Sequence, residues 1–380
     1  MKLFLCGDVM TGRGIDQILP HPGGHQIFEP CVRDARDYVA LAEARHGPIA
    51  KPVTASYVWG DALREFAQLA PDVRIINLET SVTASDDYWR GKGINYRMHP
   101  GNVACLTVAR VDVCTLANNH VLDYGYAGLA ETLETLTRAG VKAAGAGSNL
   151  AEAQAPAVVT LAGGTRVLVF AFGTDTSGIP PDWAACDNRS GVDVLPDLSE
   201  AAAHRIADRV RQARGPHDLV VASIHWGGNW GYHVPHAHVQ FAHWLVESGV
   251  DIVHGHSSHH PRPIEVYRNR LILYGCGDFI DDYEGIEGYE QYRGDLVLMY
   301  FATLSDATGE LSVLQMTPMQ IKKMTLNKPS EADVTWLRDT LERVSAPYGS
   351  HIDLTPSGTL RLRWGAAARP SVSSKADHPH

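Results

Sequence analysis

One apolar run after another in this chain ends in a side chain that can hold a metal ion. Leu3-Phe4-Leu5-Cys6 leads to Gly7-Asp8, Val73 to Ile76 leads to Asn77-Leu78-Glu79, and Val111 to Leu116 leads to Asn118-Asn119-His120. Leu219 to Ile224 ends at His225-Trp226-Gly227, and Val250 to Val253 ends at His254-Gly255-His256, with His259 and His260 just beyond. Nine of the 19 histidines lie between His225 and His260. Carboxylate, amide and imidazole without thiolate make a donor set for Mn, Fe, Zn or Co, not for calcium or an iron–sulfur cluster. Taken singly, Asp8 reads as a helix cap and Asn118 or Asn119 as a turn residue. Taken together, these positions predict a centre for one or two divalent transition-metal ions.

Such residues meet only if the runs before them are strands of open α/β sheets, where ligands bind outside the carboxyl ends of the strands. The chain supports that grammar. Strands are expected at 2–7, 73–78, 111–116 and 141–144, with a helix at 128–139 between the last two that stops at Gly140. Further on come a hairpin (157–161 with 167–172), a helix at 200–213 capped by Asp197, strands at 219–224 and 250–253, and a helix at 241–247. A second hairpin (264–267 with 271–274), strand runs at 295–303 and 311–325, and a helix at 331–344 capped by Ser330 follow. The Pro/Gly-rich segment 18–60 reads as a surface insertion, and 366–380 as a disordered tail behind a single domain of residues 1–365. The fold class is α/β.

With 33 basic and 43 acidic residues in 380, the net charge of −10 argues against nucleic acid or an anionic membrane as partner. No run reaches the ~20 apolar residues of a membrane span, so no stable membrane insertion is expected. Residues 2–7 are too short for a signal-peptide core, which predicts a cytoplasmic protein with its six scattered cysteines reduced. The sequence leaves oligomeric state open.

Gly7-Asp8-Val9-Met10, Asn77-Leu78-Glu79, Asn118-Asn119-His120, His225-Trp226-Gly227 and Gly255-His256-Ser257-Ser258-His259 occur in the order of the CapA family. These bacterial capsule and poly-γ-glutamate synthesis proteins are similar to calcineurin-like metallophosphoesterases. The resemblance runs from residue 2 to about 283 and takes in Pro263-Ile264-Glu265 and Tyr274-Gly275-Cys276-Gly277-Asp278-Phe279. It implies a four-layer αββα sandwich of two mixed sheets flanked by helices. Carried over by position, it implies Asp8, Glu79, Asn119, His225, His256 and His259 as metal ligands. Asn77, Asn118 and His254 then support those ligands from behind. His120 would protonate a leaving group or stabilise charge, with Asp8 beside it at the reacting centre. Such phosphoesterases begin Asp-x-His, and here Met10 stands where that histidine would be.

A metal held by imidazole and carboxylate brings the pKa of coordinated water to ~7, which suits hydrolysis of a phosphate ester or a peptide-like amide. Arg13 and Arg97 are the expected anion clamps, and Trp226 and Trp230, with Tyr88, Trp89, Tyr96 and Tyr232, the expected walls of a pocket for a small-molecule or peptide-like substrate. Two alternatives stand beside the hydrolase. One is a metal-assisted, cofactor-independent peptide epimerase, an activity reported among CapA-like proteins of lasso-peptide biosynthesis. The other is a non-catalytic protein that binds an anionic polymer such as poly-γ-glutamate.

Overall fold

The inner strands are apolar at nearly every position because both of their faces are covered. In the computed structural model, which describes residues 1–365, side chains alternate between two cores as a period of two requires. Leu3 and Leu5 point into the layer between two sheets, and Phe4 and Cys6 point the other way, under helices. In the second sheet Val167, Val169 and Ala171 enter the same inner layer, while Leu168, Phe170 and Phe172 meet the helices Glu200–Ala213 and His236–Glu247. The result is the expected helix–sheet–sheet–helix sandwich.

The first sheet runs 350–354, 360–364, 311–321, 296–304, 2–9, 73–78, 113–115, 142–144, with the short strand Asp278–Ile280 also paired to Lys2–Val9. The second runs 264–267, 270–273, 252–256, 219–225, 166–173, 157–160. Both are mixed. In the first, Lys2–Val9 is parallel to its neighbours on one side and antiparallel to Leu296–Leu304 on the other. In the second, the four strands from 166–173 to 270–273 are parallel. The helix Glu331–Ser345 closes one edge of the inner layer with Val334, Leu337 and Leu341, and begins with a capping box between Ser330 and Asp333.

Several boundaries differ from the sequence reading. Helices Gly125–Arg138 and His236–Glu247 both begin earlier than their apolar spacing suggested. The cap of Glu200–Ala213 is Ser199, whose hydroxyl receives the Ala202 N–H, while Asp197 accepts from Ser199 instead. Residues 18–60 do more than cover the surface. They contain the helix Arg36–His46 and bury Ile27, Tyr38, Val39, Ala42 and Trp59 in the outer core of the first sheet. The expected tail, 366–380, lies outside the described residues. Among those described, all six cysteines are free, and no helix is long and apolar enough to cross a membrane.

Candidate metal centre

Strand register builds the centre. His225 and His256 are direct partners on adjacent parallel strands of the second sheet. Asp8 is the partner of both Asn77 and Asp278 in the first. At Gly7 the backbone comes so close to Gly277 that a Cβ would lie 1.6 Å from its carbonyl oxygen, so only glycine fits. The pairing of Lys2–Val9 with Val73–Leu78 slips between Leu5 and Asp8, and the Cys6 carbonyl there receives His254 Nε2 at 2.7 Å.

Where the two sheets face each other, one donor atom from each of Asp8, His225 and His256 lies within 4.8 Å of the other two, and each residue is only 1% exposed. A proton chain decides which histidine atom faces inward. The Cys6 carbonyl can only accept, so His254 Nε2 carries the proton and its Nδ1 accepts from Ser223 Oγ at 3.1 Å. Ser223 Oγ then accepts from His256 Nε2 at 2.8 Å, which leaves the His256 Nδ1 lone pair pointing at the centre, 2.7 Å from His225 Nδ1. His225 Nε2 donates to Asn119 Oδ1 at 3.0 Å, so its Nδ1 also presents a lone pair. At that distance the two Nδ1 atoms share a proton, and a metal ion taking the proton's place would be held by both lone pairs beside the Asp8 carboxylate.

Electrostatics agrees. Burial, then neighbouring imidazoles, hold His225 and His256 well below the usual range, so both are neutral ligands at pH 7. Burial, then Asp278, push Asp8 up to about 7. Burial, then Asp8, push Glu79 well above the carboxylate range. Crowded, dry carboxyls of this kind are relieved by a bound cation, so the residues present fit a divalent metal.

The other expected residues occupy distinct places. Glu79 Oε1 lies 3.7 Å from His225 Nε2 and 3.9 Å from His120 Nε2. Asn77 donates to Asp8 at 2.7 Å and receives Asn118 Nδ2 at 3.0 Å, while Asn118 Oδ1 accepts the N–H groups of His120 and Val121. His259 stands outside the Asp8–His225–His256 cluster, paired with Asp278 at 2.9 Å. Burial is the largest influence and lowers its pKa, but Asp278 and Asp8 together raise it overall. His120 Nδ1 is held by Asp123 at 2.6 Å, and its ring stacks on Tyr96 at 3.8 Å, which leaves Nε2 facing Glu79. Burial, then Lys92, hold His120 down to about 4, so its imidazole is uncharged near pH 7.

Both expected anion clamps have acidic partners in the structure. Arg13 is buried between Glu29 and Asp282, its guanidinium over the Tyr38 ring at 3.6 Å. Arg97 pairs with Asp86 at 2.7 Å and donates to the Gly24 carbonyl at 3.1 Å. Trp226 is core, stacked on His238 at 4.5 Å and donating to the Tyr274 carbonyl. Of the expected walls, Tyr96 stacks on His120, and Trp230 stacks on Tyr289 at 4.1 Å with His259 5.2 Å away. Lys92, Asp123 and Ser223 escaped sequence reasoning. The His-x-x-Asp spacing of His120 and Asp123 was the available signal for one of them, and Lys92, on a loop, offered none.

A four-layer α/β sandwich with a buried carboxylate–imidazole centre at its strand ends is the class that fold and site define. The chain belongs to the family described as "Bacterial capsule synthesis protein PGA_cap", whose model matches residues 2–283. It is 46% identical over 363 residues to a "Probable polyglutamine synthesis accessory protein" of Mycobacterium tuberculosis, covering 95% of this chain and 96% of that one. It is 29% identical to the "PGA biosynthesis protein CapA" of Bacillus subtilis, over 86% of this chain and 76% of that protein. Among solved structures it is similar to a 5'-nucleotidase precursor from Thermus thermophilus, at 14% identity, a TM-score of 0.45, and coverage of 90% of this chain and 58% of that one.

Proposed function

We propose that this protein is a metal-dependent hydrolase that cleaves a peptide-like amide or a phosphate ester. The observation that carries the reading is the set of three buried donor atoms of Asp8, His225 and His256, all within 4.8 Å of one another. When bound there, one or two divalent transition-metal ions supply a water nucleophile at neutral pH and polarise the scissile bond. The chain's own residues do the rest. Ser223 and His254 aim His256, Asn77 and Asn118 aim Asp8 and the 118–121 turn, and Asp123 holds His120 so that Nε2 moves a proton to or from the reacting group. The names of the relatives favour an amide of a glutamyl polymer over a phosphate ester. Nucleic acid fits poorly in so acidic a surround.

The test is to load the purified protein with Mn²⁺, Fe²⁺, Zn²⁺ or Co²⁺ and offer γ-glutamyl oligomers and an aryl phosphate, with new amino groups and inorganic phosphate as readouts. Metal-dependent release of either product supports the proposal. Solvent deuterium entering a substrate Cα without cleavage would replace it with the epimerase. Bound metal with no turnover of either substrate would favour a polymer-binding protein.

A further inference from the structure

Three arginines are buried among the described residues: Arg13, Arg97 and Arg262. Carboxylates neutralise the first two. Arg262 is 4% exposed, yet among the described residues it has no carboxylate partner. Its hydrogen bond runs from Nη2 to the Gly228 carbonyl at 2.6 Å, and its Nε is buried without any partner. A guanidinium shut away from water without a counter-ion is costly, so an anion is the group this place lacks. Burial alone lowers its pKa, with no opposing group to raise it. The nearby imidazoles add no charge, since burial, with Arg262 contributing, holds His238 and His260 down to about 4.

The place is next to the candidate centre. Gly227 follows His225 and Trp226, and its carbonyl accepts from Ser257 Oγ at 3.0 Å, while the Ser257 N–H donates to Asp8 Oδ2 at 3.2 Å. Its rim reaches the surface at Gly228, which is exposed and where a Cβ would meet nothing within 4 Å.

We infer that Arg262, with the Gly227–Gly228 turn, forms an anion subsite that binds a carboxylate of the substrate beside the metal centre. It deepens the hydrolase reading and rests on it for the substrate, but binding can be measured whether or not turnover follows. A single guanidinium with one nitrogen already committed matches a monoanion better than a phosphate dianion.

Calorimetry on metal-loaded protein tests this with tri-γ-glutamate, its fully amidated analogue and inorganic phosphate. The trimer should bind and its amide should not. Arg262→Met should weaken trimer binding about 10- to 100-fold, with Arg262→Lys between, as expected for losing a charge-assisted hydrogen bond. Gly228→Asp covers the case in which Arg262→Met fails to fold. It offers the guanidinium an internal counter-ion, and should raise Tm by about 2 °C while blocking the trimer. Trimer binding that survives Arg262→Met or Gly228→Asp, or that ignores amidation, overturns the assignment. Arg262-dependent binding of phosphate without the trimer overturns the carboxylate in favour of a phosphoryl group.

Discussion

Asp8→Asn should stabilise the chelated protein at high pH and abolish its stabilisation by metal. The Asp8 pKa rises from 3.8 to about 7 in the fold. A raised carboxyl pKa means that the folded state keeps its proton when the unfolded chain has lost it, so stability falls as pH climbs from about 4 through about 7. At 1.36 kcal/mol per unit this is about 4 kcal/mol. The asparagine does not titrate, but its amide nitrogen cannot receive the Ser257 N–H, which costs about 1 kcal/mol. A net gain of about 3 kcal/mol at pH 8 remains, turning into a loss of about 1 kcal/mol at pH 4. With about 2.1 cal/mol/K per residue, a chain of 380 residues unfolds with about 0.8 kcal/mol/K, so the variant should melt about 4 °C higher at pH 8. Scanning fluorimetry in chelator at pH 4 and pH 8, repeated with Mn²⁺ or Zn²⁺, reads both effects. With metal the order should invert, because binding to the native state stabilises only the protein that keeps its ligand. Equal melting at both pH values, or equal metal stabilisation of both proteins, would refute the argument.

Replacing His120 with Ala should lower kcat by about 10²- to 10⁴-fold while elemental analysis finds the metal content unchanged, since Nε2 moves a proton and ligates nothing. Arg13→Met strands Glu29 and Asp282 in the interior and should cost about 3–5 kcal/mol in chemical denaturation. A rise in KM at constant stability would instead restore Arg13 as an anion clamp. Trp226→Ala should cost about 3–5 kcal/mol as a core deletion, and a stable variant with weakened substrate binding would contradict that placement. Ser330→Ala removes one half of a capping box and should cost about 1 kcal/mol, read in the same denaturation series.

Much of the fold was legible because it follows from local rules. Strands with both faces covered are continuously apolar, so 2–7, 73–78 and 219–224 stood out, and each carried its polar residue at the carboxyl end, where α/β sheets place ligands. Helix starts were less legible at 125 and 236, where Gly125 and the histidines of His236–Glu247 carry no apolar signal. The packing of 18–60 was also hidden, because its buried residues are spaced irregularly and some meet partners that only the fold brings near, as Trp59 meets Phe279 and the Cys105 carbonyl.

The centre divides along the same line. Residue type and position along the chain sufficed to nominate Asp8, His225 and His256, because metal chemistry constrains which atoms can serve and strand ends constrain where they sit. Which guanidinium is free was a different kind of question. Arg13 and Arg97 precede or flank motifs and look available in a linear reading, yet Asp282, 269 positions away from Arg13, and Asp86 consume them. Arg262 lies among prolines and histidines with nothing to mark it. A charge's availability depends on what surrounds it in three dimensions, since Coulomb energy and desolvation follow distance in space, and only the folded chain sets those distances.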